Sequence, residues 1–441
     1  MKKSLALGVL FLFAGASLLP GAFRKEDIKI HQLENGLKIL LLEDHVIPNV
    51  ALYTYFRVGS RNERPGLTGV SHFIEHMMFN GTAKVGPGEF DRKMEFAGGS
   101  NNASTGDDRT GYTDWFPASA LEMMIEMEAD RIQGATYDPK VFESERQVIA
   151  SERRMAVDNS NDGILSENVR ATAIMAHPYH WDVIGWMSDI QGWRRDEVMS
   201  YYKTYYAPNN AVLVMVGDFK EAEALALLKK YFGPVPASPP PPVVLTVEPP
   251  QMGTKRVTIR KEAQVPSFQV VWHGPSVRSP EFFPMSILGD ALLRGQSSRL
   301  YRRLVRQEQL AVRVGGGQSE NIDPFLFQID VQPRPGADLA RIEAVIEEEL
   351  AKIKAEGITD AEIQKSLNMT RSGFYMGLQT ISGKAGQLAE AEIMYGNFEK
   401  LFTLMDNYSA VKNPKIIEAA KKFFTDDNKT VGTLIPLGGV K

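Results

Sequence analysis

His72-Phe73-Ile74-Glu75-His76 is the stretch on which the reading of this chain turns. Two histidines four residues apart on a helix project from one face, a turn apart, and can hold the same metal ion. Glu75 stands beside them as a carboxylate able to take a proton from water. The order H-x-x-E-H inverts the commoner H-E-x-x-H metal helix. A catalytic zinc usually takes three protein ligands and leaves a fourth position open, so a third ligand is expected elsewhere in the chain.

The stretch Glu143-Ser144-Glu145-Arg146-Gln147-Val148-Ile149-Ala150-Ser151-Glu152 offers it. Asp138 reads as a helix N-cap and Pro139 as the first helical residue, with apolar residues at helical spacing beyond them. Glu145 and Glu152 are seven residues apart, about two turns, and so share a helical face. Glu152 can then complete a one-zinc site with His72 and His76, while Glu145 orients one of those ligands through a hydrogen bond.

Composition bounds the rest. A chain of 441 residues is too long for one ordinary domain and fits two of about 200 residues each. Hydrophobic content of 43% and charged content of 24% suit a globular protein, and a net charge of -4 gives no basic excess for nucleic acid. Met1-Lys2-Lys3 followed by the apolar run Leu5 to Leu19 reads as a bacterial secretory signal peptide over residues 1–22, with an uncleaved membrane anchor as the alternative, for which the run is short. The expected location is therefore periplasmic or secreted, with no stable membrane insertion after signal removal. The chain has no cysteine, which excludes a lipoprotein anchor and any disulfide.

Pro234 to Pro250 holds eight prolines and reads as an extended linker between an N-terminal domain, 23–233, and a C-terminal domain, 251–441. Leu37 to Leu42, Val50 to Val58 and Val212 to Val216 are strand-like in the first half, as are Val257 to Ile259 and Phe268 to Trp272 in the second. Ala118 to Ile132 reads as an amphipathic helix with Met123, Met124 and Met127 on its core side. Leu339 to Ala355 reads as a helix stopped by Gly357, and Thr359 to Glu362 as the capping box of the next. Strands and helices in both halves give an α+β class with two domains.

Taken with its flanks, Gly66-Leu67-Thr68-Gly69-Val70 and Met77-Met78-Phe79-Asn80-Gly81-Thr82, the metal motif resembles the signature of the pitrilysin family, which includes insulin-degrading enzyme and the mitochondrial processing peptidase. In that family the third ligand is a glutamate about 75 residues beyond the second histidine, and Glu152 lies 76 beyond His76. A second family glutamate seven residues earlier is matched by Glu145. Smaller matches are Gly59-Ser60-Arg61-Asn62-Glu63, His177-Pro178-Tyr179, and Tyr205-Tyr206-Ala207-Pro208-Asn209-Asn210 before a strand ending Val216-Gly217-Asp218.

The resemblance implies two related domains, each a mainly antiparallel sheet packed with helices, and a zinc endopeptidase acting on unfolded peptides. It implies Glu75 as the base that takes the attacking water's proton and passes it to the leaving amine. It also implies an edge strand at Asn101-Asn102-Ala103-Ser104-Thr105, with Asn102, Ala103, Ser104 and Thr105 as substrate-binding residues, to which an extended peptide adds as a further strand.

One departure stands out. Self-sufficient members carry an arginine and a tyrosine seven residues apart in the second domain, which hold substrate and stabilise the developing oxyanion. Val305 and Val312 occupy those places here, and a one-residue slip offers Arg306 with Arg313. The implied arrangement is a heterodimer in which this chain brings the zinc and a homologous partner without the metal motif brings the Arg–Tyr pair. The alternatives are a homodimer using Arg302 or Arg303, and a non-catalytic assembly subunit of the same family.

Overall fold

The computed structural model describes residues 23–437. The expected signal peptide lies outside the described residues.

Two sheets organise the chain. The first contains β1 (Lys29–Gln32), β2 (Lys38–Glu43), β3 (Asn49–Phe56), β4 (Ser100–Thr105), β5 (Thr110–Pro117) and β6 (Ala211–Gly217), in the order β1-β2-β6-β3-β5-β4. The second contains β7 (Lys255–Lys261), β8 (Ser267–His273), β9 (Ala311–Gln318), β10 (Leu326–Pro333) and β11 (Lys429–Pro436), in the order β7-β11-β8-β10-β9. Apart from β1 the two orders are the same, strand for strand. Each sheet has one parallel pair, β2 with β6 and β7 with β11, and is otherwise antiparallel. The α+β class with two related units is thus the observed architecture.

The local signals account for these elements. Strand β6 is buried along its whole length, with Val212, Val214 and Val216 on one face and Leu213 and Met215 on the other. A strand covered on both faces reads as a continuous apolar run, as this one does. The expected methionine helix starts with a 3-10 turn at Ala118–Ala120 and continues as an α-helix over Leu121–Gly134, with Met124 and Met127 buried. Gly357 ends the helix Leu339–Glu356 at positive φ, and the Thr359–Glu362 capping box opens Asp360–Gly377.

Each half lends a helix to the other half's sheet. The helix Asn161–Ala173, from the first half, packs across β7, β8 and β11. The helix Ile381–Tyr395, from the second, packs across β3 and β6. The first contact needs glycine at 432, because a Cβ there would stand 2.1 Å from a methyl of Val169. The second seats Ala385, Leu388 and Ala389 in the same apolar cluster as Val212 and Val214.

Buried charge locks the second of these contacts. Glu392, 2% exposed, takes Lys38 at 2.7 Å, Arg57 at 3.0 Å and the backbone N–H of Phe398. Lys384 pairs with Asp44 at 2.6 Å. The loops joining β4 to β5 and β9 to β10, equivalent in the two sheets, also meet. Asp108 accepts from the backbone N–H of Ile322 at 3.0 Å, and Asp107 accepts from Asn321 Nδ2 at 3.1 Å.

Residues 236–252 form no helix or strand, and they are tied to the first half rather than free of it. Ser238 and Asn209 exchange hydrogen bonds, and the Glu248 carboxylate accepts from the backbone N–H groups of Met175, Ala176 and His177. Among the described residues no helix is long and apolar enough to cross a membrane.

The Glu392 cluster gives a direct test of this packing. Glu392→Ala leaves Lys38 and Arg57 facing each other without a counter-charge. The expected loss is about 3 kcal/mol, at the low end for breaking a buried pair because both cations keep some contact with water. Chemical denaturation of the two proteins side by side checks it.

Candidate metal centre

The helix Val70–Met77 carries His72, Glu75 and His76. Its sequence places Val70, Phe73, Ile74 and Met77 in the core and leaves the two histidines half-buried on the opposite side. Its start is held by Glu63, part of the stretch Gly59-Ser60-Arg61-Asn62-Glu63. Gly69 precedes the helix at φ +80, a left-handed conformation that favours glycine. The buried Glu63 carboxylate accepts from the N–H of Gly69 with one oxygen and from that of Ser71 with the other, both at 2.8 Å. Two of the free N–H groups at this helix start are satisfied in that way. Burial pushes the Glu63 carboxyl up to about 8, against the pull of these hydrogen bonds.

The expected second helix runs Pro139–Arg153, with the Asp138 carboxylate capping the N–H groups of Lys140 and Val141. It crosses the first helix so that Glu152 faces both histidines. Glu152 Oε2 lies 3.8 Å from His72 Nε2 and 3.8 Å from His76 Nε2. One ligand atom from each of the three residues falls within 4.8 Å of the others, and among the described residues no other group of three does so. A tetrahedral zinc with bonds of about 2.0–2.2 Å would separate its ligand atoms by about 3.3 Å. Modest side-chain movement closes that difference, and two imidazoles with one carboxylate are a donor set that suits zinc.

The surroundings prepare the ligands unequally. His76 Nδ1 lies 2.8 Å from Glu145 Oε1, which leaves Nε2 free to face the centre. Asn80, four residues beyond His76, donates to the other Glu145 oxygen at 2.9 Å. The hydrogen bond to His76 holds the Glu145 carboxyl below its usual range. His76 itself is pulled both ways: burial lowers it, and the Glu145 and Glu152 carboxylates raise it by more. His72 has no such support. Its Nδ1 is buried without a hydrogen-bond partner, and burial together with the neighbouring His76 lowers its pKa to about 4. His72 is therefore a neutral imidazole at neutral pH, oriented by packing alone.

Glu75, 8% exposed, points to the edge of the first sheet rather than to the histidines' outer side. Its Oε2 accepts from Thr105 Oγ1 at 2.5 Å. Burial raises the Glu75 carboxyl, and that hydrogen bond opposes the rise. Thr105 ends β4, the outermost strand of the sheet, which pairs with β5 on one side only. Along β4, Asn101, Ala103 and Thr105 are half-buried on the side of the metal helix, while Ser100, Asn102 and Ser104 are exposed. Asn102, Ala103, Ser104 and Thr105 thus share an edge with unpaired backbone groups beside the candidate base.

The valine positions of the second half belong elsewhere. Tyr301–Gln307 forms a π-helical turn, with Val305 partly buried against the core and Val312 on β9 46% exposed. Arg303 is held by Glu308, Glu348 and Glu349. Arg302 and Arg306 are exposed, and Arg306 donates to Gln296.

Glu63 offers the test of how the metal helix is held. An amide at that place can accept from only one of the two N–H groups and turns its own N–H2 on the other. Measured above the raised Glu63 pKa of about 8, where the carboxylate is ionised, Glu63→Gln is expected to cost about 1–3 kcal/mol, the penalty of an unsatisfied buried donor, read from the unfolding midpoint.

Comparison with known proteins places the chain in a family. The family description Insulinase (Peptidase family M16) matches residues 38–185, and Peptidase M16 inactive domain matches residues 192–370. The chain is 28% identical to the zinc protease PqqE of Helicobacter pylori, over 99% of each chain. The crystal structure of a protease from Helicobacter pylori superposes with a TM-score of 0.89 at 28% identity, covering 93% of this chain and 99% of that one. The periplasmic protease PqqL of Escherichia coli shares the fold at a TM-score of 0.75 and 19% identity, over 94% of this chain and 48% of that one. The chain belongs to the M16 (pitrilysin) family of peptidases, in its two-domain form.

Proposed function

We propose that this chain is a zinc endopeptidase that hydrolyses unfolded peptides, with His72, His76 and Glu152 as zinc ligands and Glu75 as the base. The observation that carries the reading is the convergence of those three ligand atoms beside a buried carboxylate and an unpaired strand edge. Zinc, when bound, supplies Lewis acidity for the scissile carbonyl and lowers the pKa of water at the site.

The chain's own residues do the rest. An extended peptide adds to β4 through main-chain hydrogen bonds, which gives affinity with little sequence selectivity. Glu75 takes a proton from the attacking water at one carboxylate oxygen and delivers it to the leaving amine. Thr105 keeps that carboxylate turned towards the strand that holds the peptide. Glu145, fixed by Asn80, orients His76 and favours its Nε2 as the ligand atom.

The two valines in place of an Arg–Tyr pair support a working unit of two subunits, this one bringing the metal and a homologue bringing the oxyanion contacts. A homodimer relying on Arg303 is less favoured, because three glutamates already hold that guanidinium. The apolar leader and the fold shared with a periplasmic protease support export from the cytoplasm.

Two measurements test the reading. Glu75→Gln is expected to keep one zinc per chain, by metal analysis, and to abolish cleavage of a quenched peptide, assayed with and without the partner. Zinc-dependent cleavage that survives this change would refute the role given to Glu75. Glu145→Gln is expected to weaken zinc binding by roughly 10–100-fold in a competition titration with a chelator, the usual effect of losing a ligand's outer partner.

A further inference from the structure

Arg109 lies outside every role assigned so far, and its contacts reach three separate parts of the molecule. It sits on the tight turn between β4 and β5, where the Arg109 carbonyl accepts from the Gly106 N–H at 2.8 Å. Its Nε donates to Glu390 Oε2 at 2.6 Å, on the helix Ile381–Tyr395 that the second half lays across the first sheet. Its Nη1 donates to Ser104 Oγ at 3.2 Å, on β4. The guanidinium also stacks over the Tyr55 ring, 4.8 Å from its centroid, on β3. Its side chain is only 25% exposed, unlike an ordinary surface cation.

An edge strand has one neighbour to hold it, and β4 is required to keep its place beside the histidines. Consecutive residues of a strand point to opposite faces. Ser104 is gripped from one face by Arg109, while Thr105 on the other face holds Glu75. The far end of β4 is pinned separately, by Asn101 Nδ2 to Asp91 at 2.8 Å.

We infer that Arg109 and Glu390 form a clamp through which the second half positions β4, and with it the site of peptide addition. Arg109 is a positioning residue in this scheme, and the inference rests on β4 being the strand that receives the peptide. It gives the metal-free half a task at the centre within its own chain. A pair whose carboxylate stays 40% exposed is partly screened by water and does little for stability, whereas small displacements of a bound substrate are costly to reactivity.

The test uses Arg109→Gln and Glu390→Ala in the full-length chain. The second variant keeps the arginine and its stacking on Tyr55, so it stands if the first folds poorly. Amide hydrogen exchange is expected to quicken by ~10-fold or more in residues 100–105 of both variants, the loss of one charge-assisted hydrogen bond, with residues 49–56 of β3 and the melting temperature unchanged. In the Glu75→Gln background, an unstructured peptide long enough to lie along the whole strand should bind ~10-fold more weakly when either residue is changed, at unaltered zinc content. Unchanged exchange in residues 100–105 would overturn the clamp. Faster exchange with unchanged peptide affinity would overturn its role in positioning substrate. A Glu75→Gln chain that binds no peptide counts against the peptidase reading instead, and exchange then decides the clamp by itself.

Discussion

Neither sheet of this protein is complete within its own half of the chain. Each has a face that stays open until the other half supplies a helix, Asn161–Ala173 for the second sheet and Ile381–Tyr395 for the first. Apolar area at these crossings is removed from water on both partners, and this burial is the dominant favourable term available to the contact. The ionic locks add specificity more than stability. Glu392 with Lys38 and Arg57, and Lys384 with Asp44, are desolvated pairs that make sense only in this register. Once the crossings form, the equivalent hairpin loops of the two sheets are brought together, and the position of β4 follows.

The candidate metal centre inherits its geometry from that frame. The two histidines come from one turn of one helix, so their relation to each other is local. Their relation to Glu152 depends on how Pro139–Arg153 crosses that helix, and the crossing is set by packing of Phe73 against Phe142 and Trp193. Charge is distributed with some economy. A buried, neutral His72, a Glu145 kept ionised by His76, and a Glu75 raised by burial are three titratable groups with three different environments. Such divergence among neighbouring groups is typical of reactive sites. Among its described residues the second half contributes nothing to the candidate ligand group, yet its Glu390 reaches Arg109 on the turn that follows β4.

Much of this was legible from local patterns. Asp138 and Pro139 announced a helix start because a capping carboxylate and a pre-set φ are properties of the residues themselves. The same holds for Thr359 with Glu362, for Gly357, and for the continuous apolar run that became β6. The spacing of His72, Glu75 and His76 depends only on helix pitch, and so does the shared face of Glu145 and Glu152. The β4 edge was reached through family resemblance, since a stretch such as Gly99-Ser100-Asn101-Asn102 is turn-like by composition.

Composition, helix pitch and short-range capping thus determined the class of fold, the position of several elements, and the pairing of His72 with His76 and of Glu145 with Glu152, because each depends on residues within a few turns of one another. Only the tertiary structure decided the rest. Glu63 satisfies the start of the metal helix from six residues before Gly69, and Thr105 meets Glu75 across 30 residues. Arg109 meets Glu390 across 281 residues, and Glu392 meets Lys38 across 354. A charged side chain advertises no partner at such separations, since the pairing exists only after both sheets have formed and excluded water between them. Which carboxylate becomes a cap, a ligand or a clamp is therefore set by packing.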